Sequence, residues 1–217
     1  MSHKFAGVIL LFAFAYLSGC AYLAGGMAHQ EGRPVAAEYA GLDGKSVAVV
    51  VYATRATTNE FSAARDEISA FVVTELRKAL PACRIVDPRV VIRWQDDTLN
   101  WDSLAEHDIG KHFGVERVLF IELVGYETKV PGAQGYVQGY IEANAKVFEV
   151  DTPGTLPAWQ GSVVVKWPPD GPIDMMRVSE LAVRKNALQK FGEKIAGYMH
   201  AHKEQDDTMR DKAGYPH

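Results

Sequence analysis

The sequence is poor in cysteine, and its basic residues are outnumbered by its acidic ones. Its two cysteines, Cys20 and Cys83, are too few for a disulfide framework, so the fold must depend on packing. The 23 Lys and Arg residues stand against 27 Asp and Glu, which gives a formal net charge of −4. A mildly acidic chain attracts polyanions weakly. We therefore expect no nucleic-acid partner.

Familiar catalytic motifs are absent as well. The chain has no GxSxG nucleophile elbow, no HExxH metal-binding helix and no CxxC pair. Gly44-Lys45-Ser46 is similar to the end of a phosphate-binding loop, but Tyr39 stands where that motif requires glycine. The sequence therefore predicts no nucleotide site, no metal site and no catalytic residues.

One mostly apolar run opens the chain. Lys4 precedes the run over residues 5–17, and small residues follow it, a pattern typical of a secretory signal peptide. The segment Leu17-Ser18-Gly19-Cys20 resembles the bacterial lipobox, in which the cysteine is lipidated and the peptide is cut before it. The alternative is an uncleaved transmembrane anchor, because no charge occurs over residues 5–28.

The lipobox resemblance implies an address and an anchor. It makes residues 1–19 a signal peptide, Cys20 the site of a covalent lipid, and residues 20–43 a lipid-anchored tether rich in Ala and Gly. Two or three acyl chains on one residue anchor a protein stably. By resemblance to enterobacterial lipoproteins, Ala21 after the cysteine implies the outer membrane, facing the periplasm. No other cofactor is expected.

Hydrophobic periodicity predicts an α/β domain over residues 44–203 and a disordered, charged tail over 204–217. The expected elements are a buried strand over 46–53, a polar loop over 54–60, a helix over 62–80, a short strand over 84–86, a helix that Ser103 and Glu106 start with a capping box, a strand over 116–124, strands over 136–150 and 159–167, and a helix over 181–199 that Asp174 can cap. Periodicity leaves residues 90–94 undecided between a short strand and part of a helix. These elements predict an α/β fold of the α+β sandwich type. It has a single mixed sheet with a long antiparallel hairpin, and its helices lie mainly on one face.

Two stretches carry a family resemblance. Residues 109–119 contain a helix end followed by Gly114-Val115-Glu116 and an apolar strand, and residues 147–161 read as a strand, an Asp-x-x-Gly turn and Trp-Gln-Gly. Both resemble envelope lipoprotein domains of the kind found in the curli secretion subunit CsgG, the activator LpoB and the amino-terminal domain of TolB. The resemblance implies a domain that works through protein contacts.

Four aromatic residues are the candidate partner contacts: Tyr126, Tyr136, Tyr140 and Trp159. Alternation along the strand over 136–150 places Tyr136 and Tyr140 on its wetter face, where an exposed aromatic cluster suits a protein partner. The alternative is that a helix or the tether covers these side chains.

The sequence thus favours a non-enzymatic lipoprotein of the cell envelope. It would attach to the membrane through its lipid and bind another envelope protein or further copies of itself, as an accessory of envelope assembly, secretion or peptidoglycan synthesis. One alternative is a subunit of a secretion channel. Another is a periplasmic hydrolase using Asp96, Asp97 and His107, because paired carboxylates can carry out acid/base chemistry.

Overall fold

The computed structural model describes residues 33–152, 154 and 156–204. The predicted signal peptide, the lipidation site Cys20 and the predicted tail beyond Glu204 lie outside the described residues. The strands are β1 (Arg33–Val35), β2 (Ser46–Tyr52), β3 (Arg84–Ile85), β4 (Arg117–Lys129), β5 (Tyr136–Glu149), β6 (Trp159–Trp167), β7 (Ile173–Asp174) and β8 (His202–Glu204). The α-helices are α1 (Arg55–Glu60), α2 (Ala64–Ala79), α3 (Pro88–Asp97), α4 (Glu106–Phe113) and α5 (Glu180–Met199).

The chain divides into two compact units. The larger unit spans Ala37–Ala201, so it begins before the predicted domain start at residue 44. In the smaller unit, β1 pairs antiparallel with β8, and Pro34 lies opposite Lys203.

The larger unit is built on a six-stranded mixed sheet in the order β3-β2-β4-β5-β6, with β7 paired to the start of β5. β2 runs parallel to β3 and β4, whereas β4, β5 and β6 are antiparallel neighbours. The two longest helices, α2 and α5, pack on one face, and the shorter α3 and α4 cover part of the other. The predicted mixed sheet with its long hairpin is therefore confirmed.

The parallel half of the sheet, consisting of β3, β2 and the start of β4, is covered on both faces. All five residues from Val47 to Val51 are buried, as expected for a strand between two helical layers. Val49 and Leu119 face α2, while Val50 and Val118 belong to a second cluster under α3 and α4.

The antiparallel half consists of the end of β4 with β5 and β6, and its inner face is sealed by α5. Ile141 and Val163 from the sheet pack with Phe191 of α5, which is fully buried. The close approach is visible at Gly139, where a Cβ atom would stand 2.6 Å from the Cβ of Ala187. Glycine is therefore required at this crossing of helix and strand.

A β-bulge alters the alternation of β4. The register against β5 shifts between Leu123 and Gly125 and again between Glu127 and Lys129. An extra residue in one strand reverses which side chains point inward. Regular alternation would place Leu123 and Tyr126, which are three residues apart, on opposite faces of the strand. Because of the bulge, both side chains face the core.

Some local predictions were wrong. The polar loop expected over 54–60 contains α1, which begins because the Thr54 hydroxyl accepts a hydrogen bond from the Thr57 N–H at 3.2 Å. The undecided stretch over 90–94 belongs to α3. Its N-terminus is set by Pro88 and by the Asp87 carboxylate, which accepts from the Arg89 N–H at 2.9 Å.

Two predicted helix caps were also wrong. Ser103 does not form a capping box, because its hydroxyl donates to the Asn100 carbonyl at 2.7 Å and α4 begins only after Ala105. The last helix is capped by Ser179, whose hydroxyl accepts from the Ala182 N–H at 3.2 Å, and Asp174 lies in β7 instead.

No helix within the described ranges is long and apolar enough to cross a membrane.

Candidate protein-contact surface

One face of the antiparallel half carries no helix among the described residues. Its outward side chains come from β4, β5 and β6, and they define what we call the open face: Val124, Tyr140, Glu142, Asn144, Lys146, Gln160, Ser162, Val164 and Lys166. Two valines on this face are solvent-exposed, Val124 by 56% and Val164 by 40%. An exposed apolar side chain gains free energy when a partner covers it.

Tyr140 is the aromatic centre of the open face. Its ring lies over Gly125, where an added Cβ would come within 2.7 Å of the ring. The Lys166 ammonium stands 5.6 Å from the ring centroid, which is a cation–π distance. The Tyr140 hydroxyl donates to the Glu142 carboxylate, and this hydrogen bond raises the pKa of Tyr140. The ring is thus held in place from three sides.

Farther along the open face, a shallow cavity of about 330 Å³ lies between β5 and β6. Four polar side chains line it, namely Asn144, Lys146, Gln160 and Ser162. Two amides, a hydroxyl and an ammonium offer hydrogen-bond donors and acceptors without an acidic group. The open face therefore combines apolar contact area with polar groups, as protein interfaces do.

The structure separates the four aromatic residues predicted as contacts. Tyr136 is 47% exposed, and Tyr140 is half-buried on the open face, so partner contact stays a prediction for these two. Tyr126 and Trp159, by contrast, are only 5% and 9% exposed and point into the core. Their burial corrects the prediction of partner contact at these two positions, and for Tyr126 the cause is the bulge in β4, which turns its side chain inward.

The polar atom of each of these two buried side chains donates a hydrogen bond to a carboxylate. The Tyr126 hydroxyl donates to Glu67 at 2.5 Å, and burial raises the pKa of Tyr126. The Trp159 indole N–H donates to Glu38 at 3.0 Å, and its ring lies 5.5 Å from that of Tyr198. Glu38 belongs to the predicted tether and Tyr198 to α5, so Trp159 contacts both of the elements that the alternative named.

The residues of the hydrolase alternative have separate partners. Asp96 forms an ion pair with Arg65 at 2.5 Å, whereas Asp97 is exposed. His107 Nε2 lies 3.2 Å from the Thr152 carbonyl, and its ring packs edge-on against Phe148. Asp96 and His107 thus have different partners, Arg65 on α2 and Thr152 in the loop after β5.

Metal binding was not predicted from the sequence. In the part of the chain that the structure describes, no group of three or more His, Cys, Asp or Glu residues is arranged to hold a metal ion. The ring of His112 stacks on Trp94 at 5.1 Å. Cys83 is half-buried, and burial raises the pKa of its thiol to about 11, so it remains protonated and unreactive near neutral pH.

Sequence reasoning missed a polar network where the parallel strands begin. The Glu116 carboxylate accepts from the Ser46 N–H at 3.0 Å and pairs with Lys45 at 2.9 Å. The hydrogen bonds from Lys45 and Ser46 lower the pKa of Glu116 to about 2. Ser46 in turn accepts the Glu116 N–H through its hydroxyl at 3.0 Å. The network joins the first residue of β2 to the residue before β4.

A second network ties the chain before β2 to the sheet. Arg117 is 7% exposed and pairs with Asp151 at 2.9 Å and with Glu149 at 3.4 Å. The Tyr39 hydroxyl donates to Glu149 at 2.8 Å, and burial together with this bond raises the pKa of Tyr39 to about 12. Leu42 is fully buried. Part of the predicted tether therefore belongs to the core of the larger unit.

Some solved structures of bacterial proteins share a distant likeness in fold with this chain. No family model and no curated protein matches it. Protein XCC0632 from Xanthomonas campestris, of family DUF330, is 13% identical with a TM-score of 0.49, over 79% of this chain and 90% of that one. The PelC dodecamer from Paraburkholderia phytofirmans is 12% identical with a TM-score of 0.44, over 77% and 97%. Lipoprotein GNA1162 from Neisseria meningitidis is 14% identical with a TM-score of 0.36, over 58% and 85%.

Proposed function

We propose that this chain is a lipid-anchored lipoprotein of the bacterial envelope whose α/β domain acts without catalysis, by binding another protein through its open face. The lipobox over Leu17-Ser18-Gly19-Cys20 supports the anchor and the address. In this proposal the domain faces the periplasm from the outer membrane and serves as an accessory or assembly factor. The CsgG, LpoB and TolB resemblance is in keeping with this role.

The observation that carries the proposal is the uncovered sheet face around Tyr140. The inner face of the same strands is sealed by α5, so the sheet keeps its shape without a partner. Val124 and Val164 expose apolar surface beside polar groups that point outward. A preorganised, mixed surface of this kind loses little conformational entropy when it binds.

The anchor is tested on the native protein. Intact mass and cell fractionation should show loss of residues 1–19, added acyl chains on Cys20 and recovery with the outer membrane. A Cys20→Ser variant should remain unprocessed. An uncleaved, unlipidated native protein would remove the basis of the envelope assignment.

The contact is tested by crosslinking in cells followed by identification of the captured protein. Tyr140→Ala and Val164→Glu should each reduce capture of one recurrent envelope partner by about tenfold, as expected for central interface residues. Leu181→Ala is the matched control, because Leu181 is 64% exposed but lies on α5. Equal capture by wild type, control and both open-face variants would contradict the proposal.

A further inference from the structure

The two edges of the large sheet differ in length. At one edge β3 contributes only two residues, Arg84 and Ile85. At the other, β6 runs for nine residues and keeps an unbroken register against β5, from Trp159 opposite Val147 to Trp167 opposite Gly139. Along the outer side of β6, the described residues include no strand partner. A long regular edge offers its backbone groups to another strand.

β6 lacks the features that usually keep an edge strand apart from others. It contains no proline and no bulge, and its single charged residue, Lys166, stands next to its last residue. Pro168 follows only after the strand has ended. Natural edges are protected by central charges, bulges or prolines, and β6 has none of these at its centre.

One side chain reaches this strand from the helical layer. The Lys194 ammonium of α5 donates to the Val164 carbonyl at 3.2 Å. Lys194 is exposed, and a single exposed lysine contact contributes little free energy. An incoming strand therefore displaces it at small cost.

We propose that β6 pairs antiparallel with β6 of a second copy of this chain, around a two-fold axis at Val163. This pairing uses the edge of the sheet and is independent of the contact proposed for the open face. Val163 is the middle residue of β6, so this register gives the greatest overlap of the two strands. A two-fold interface uses the same patch on both copies.

The side chains of β6 are complementary to themselves in this register. Ser162 lies opposite Val164 of the second copy, and Gln160 lies opposite Lys166. The two lysines thus stand at opposite ends of the paired strands, each facing an amide oxygen instead of another ammonium. Like charges placed directly opposite each other would destabilise such a pair, and this register contains none.

The pairing also keeps equivalent faces together. Residues with side chains on the same face meet across an antiparallel pair, so the sheet continues with both α5 helices on one side and both open faces on the other. Trp159, which contacts Glu38 of the predicted tether, faces the α5 side.

The test is sedimentation of the full chain purified in detergent, with charge pairs introduced across the predicted axis. Wild type should be a dimer. Ser162→Lys with Val164→Lys places like charges opposite each other twice and should raise the dimer dissociation constant at least about tenfold. Ser162→Lys with Val164→Glu places opposite charges there and should restore the dimer. Both positions are exposed, and an unchanged thermal midpoint will show that each variant is folded.

Three results would overturn the pairing: a monomeric wild type, a larger closed ring, or equal dissociation constants for the two double variants. Tyr140→Ala in the same experiment keeps this test separate from that of the proposed function, because Tyr140 lies on β5 and its backbone takes no part in the pairing of β6. If Tyr140→Ala dimerises normally but loses its envelope partner, both ideas stand. If dimers form and partner capture is unchanged, the pairing survives and the open-face contact fails.

Discussion

The parallel and antiparallel halves of the sheet differ in how many of their faces are covered by helices. In β2, both faces are apolar and both are covered by helices, so the five residues from Val47 to Val51 are buried. In β5 and β6, apolar and polar residues alternate, and a helix covers the apolar face alone. The first half is closed and supports the fold. The second leaves a surface available for binding, and the strand sequences already encode this difference.

The largest loss of stability should come from disrupting the packing of α5 against the antiparallel half. Phe191→Ala removes a fully buried ring and should lower the free energy of unfolding by about 3–5 kcal/mol. Denaturant titration measures this loss. Leu181→Ala on the same helix, where Leu181 is exposed, should change it by less than about 0.5 kcal/mol. Similar losses for both variants would contradict the assignment of α5 as the seal.

A smaller loss of stability is expected when an added side-chain atom forces α5 and β5 apart. Gly139→Ala adds a Cβ that would lie 2.6 Å from the Cβ of Ala187, so helix or strand must shift. We expect a loss of about 1–3 kcal/mol in the same titration. Asn144→Ala, at an exposed position of the same strand, is the control and should be nearly neutral. An unchanged stability for Gly139→Ala would show that this crossing is loose.

The closed half should show a specific dependence on pH. The pKa of Glu116 is lowered to about 2 by Lys45 and Ser46, below its ordinary value of 4.5. Its contribution to stability is therefore complete above about pH 4.5 and is lost as the pH falls towards 2. Glu116→Gln should flatten this part of the urea-midpoint curve, whereas Asn144→Ala, which changes an exposed and uncharged residue of β5, should leave it as in wild type. Identical curves for all three proteins would refute the role of this network.

The smallest effect on stability should come from the open face. Tyr140→Ala removes the ring over Gly125 and its cation–π contact, and it should lower the free energy of unfolding by less than about 1 kcal/mol. The thermal midpoint should hardly change. A large fall would mean that Tyr140 belongs to the core and would end its assignment as a contact residue.

Most of the architecture follows from periodicity in the sequence. The all-apolar run in β2 predicts a strand that is covered on both faces, and the alternation in β5 predicts a strand with one packed face and one more exposed face. Both agree with the structure, and so do the predicted bounds of β6. These signals are strong because burial acts on every residue of a strand. Gly114 also ends α4 in the left-handed conformation, with φ of 62°, as its position predicts.

Features set by single contacts escape such patterns. The bulge near Gly125 leaves no mark in the composition, so Tyr126 could not be assigned to the core. The Arg117 network joins Tyr39 to Glu149 across 110 positions of sequence, a distance at which local propensity says nothing. Helix caps failed for the same reason, since Ser103 had a nearer carbonyl to bond.

Photocrosslinking in cells tests most directly whether the antiparallel half is the binding surface. A photocrosslinking residue is placed in the full chain, at position 140 in one variant and at position 93 in another. Tyr140 lies on the open face, whereas Arg93 is an exposed residue of α3, which covers the closed half. We predict a discrete crosslinked product from position 140 and none from position 93. A product from position 93 alone would contradict the assignment of the antiparallel half as the binding surface.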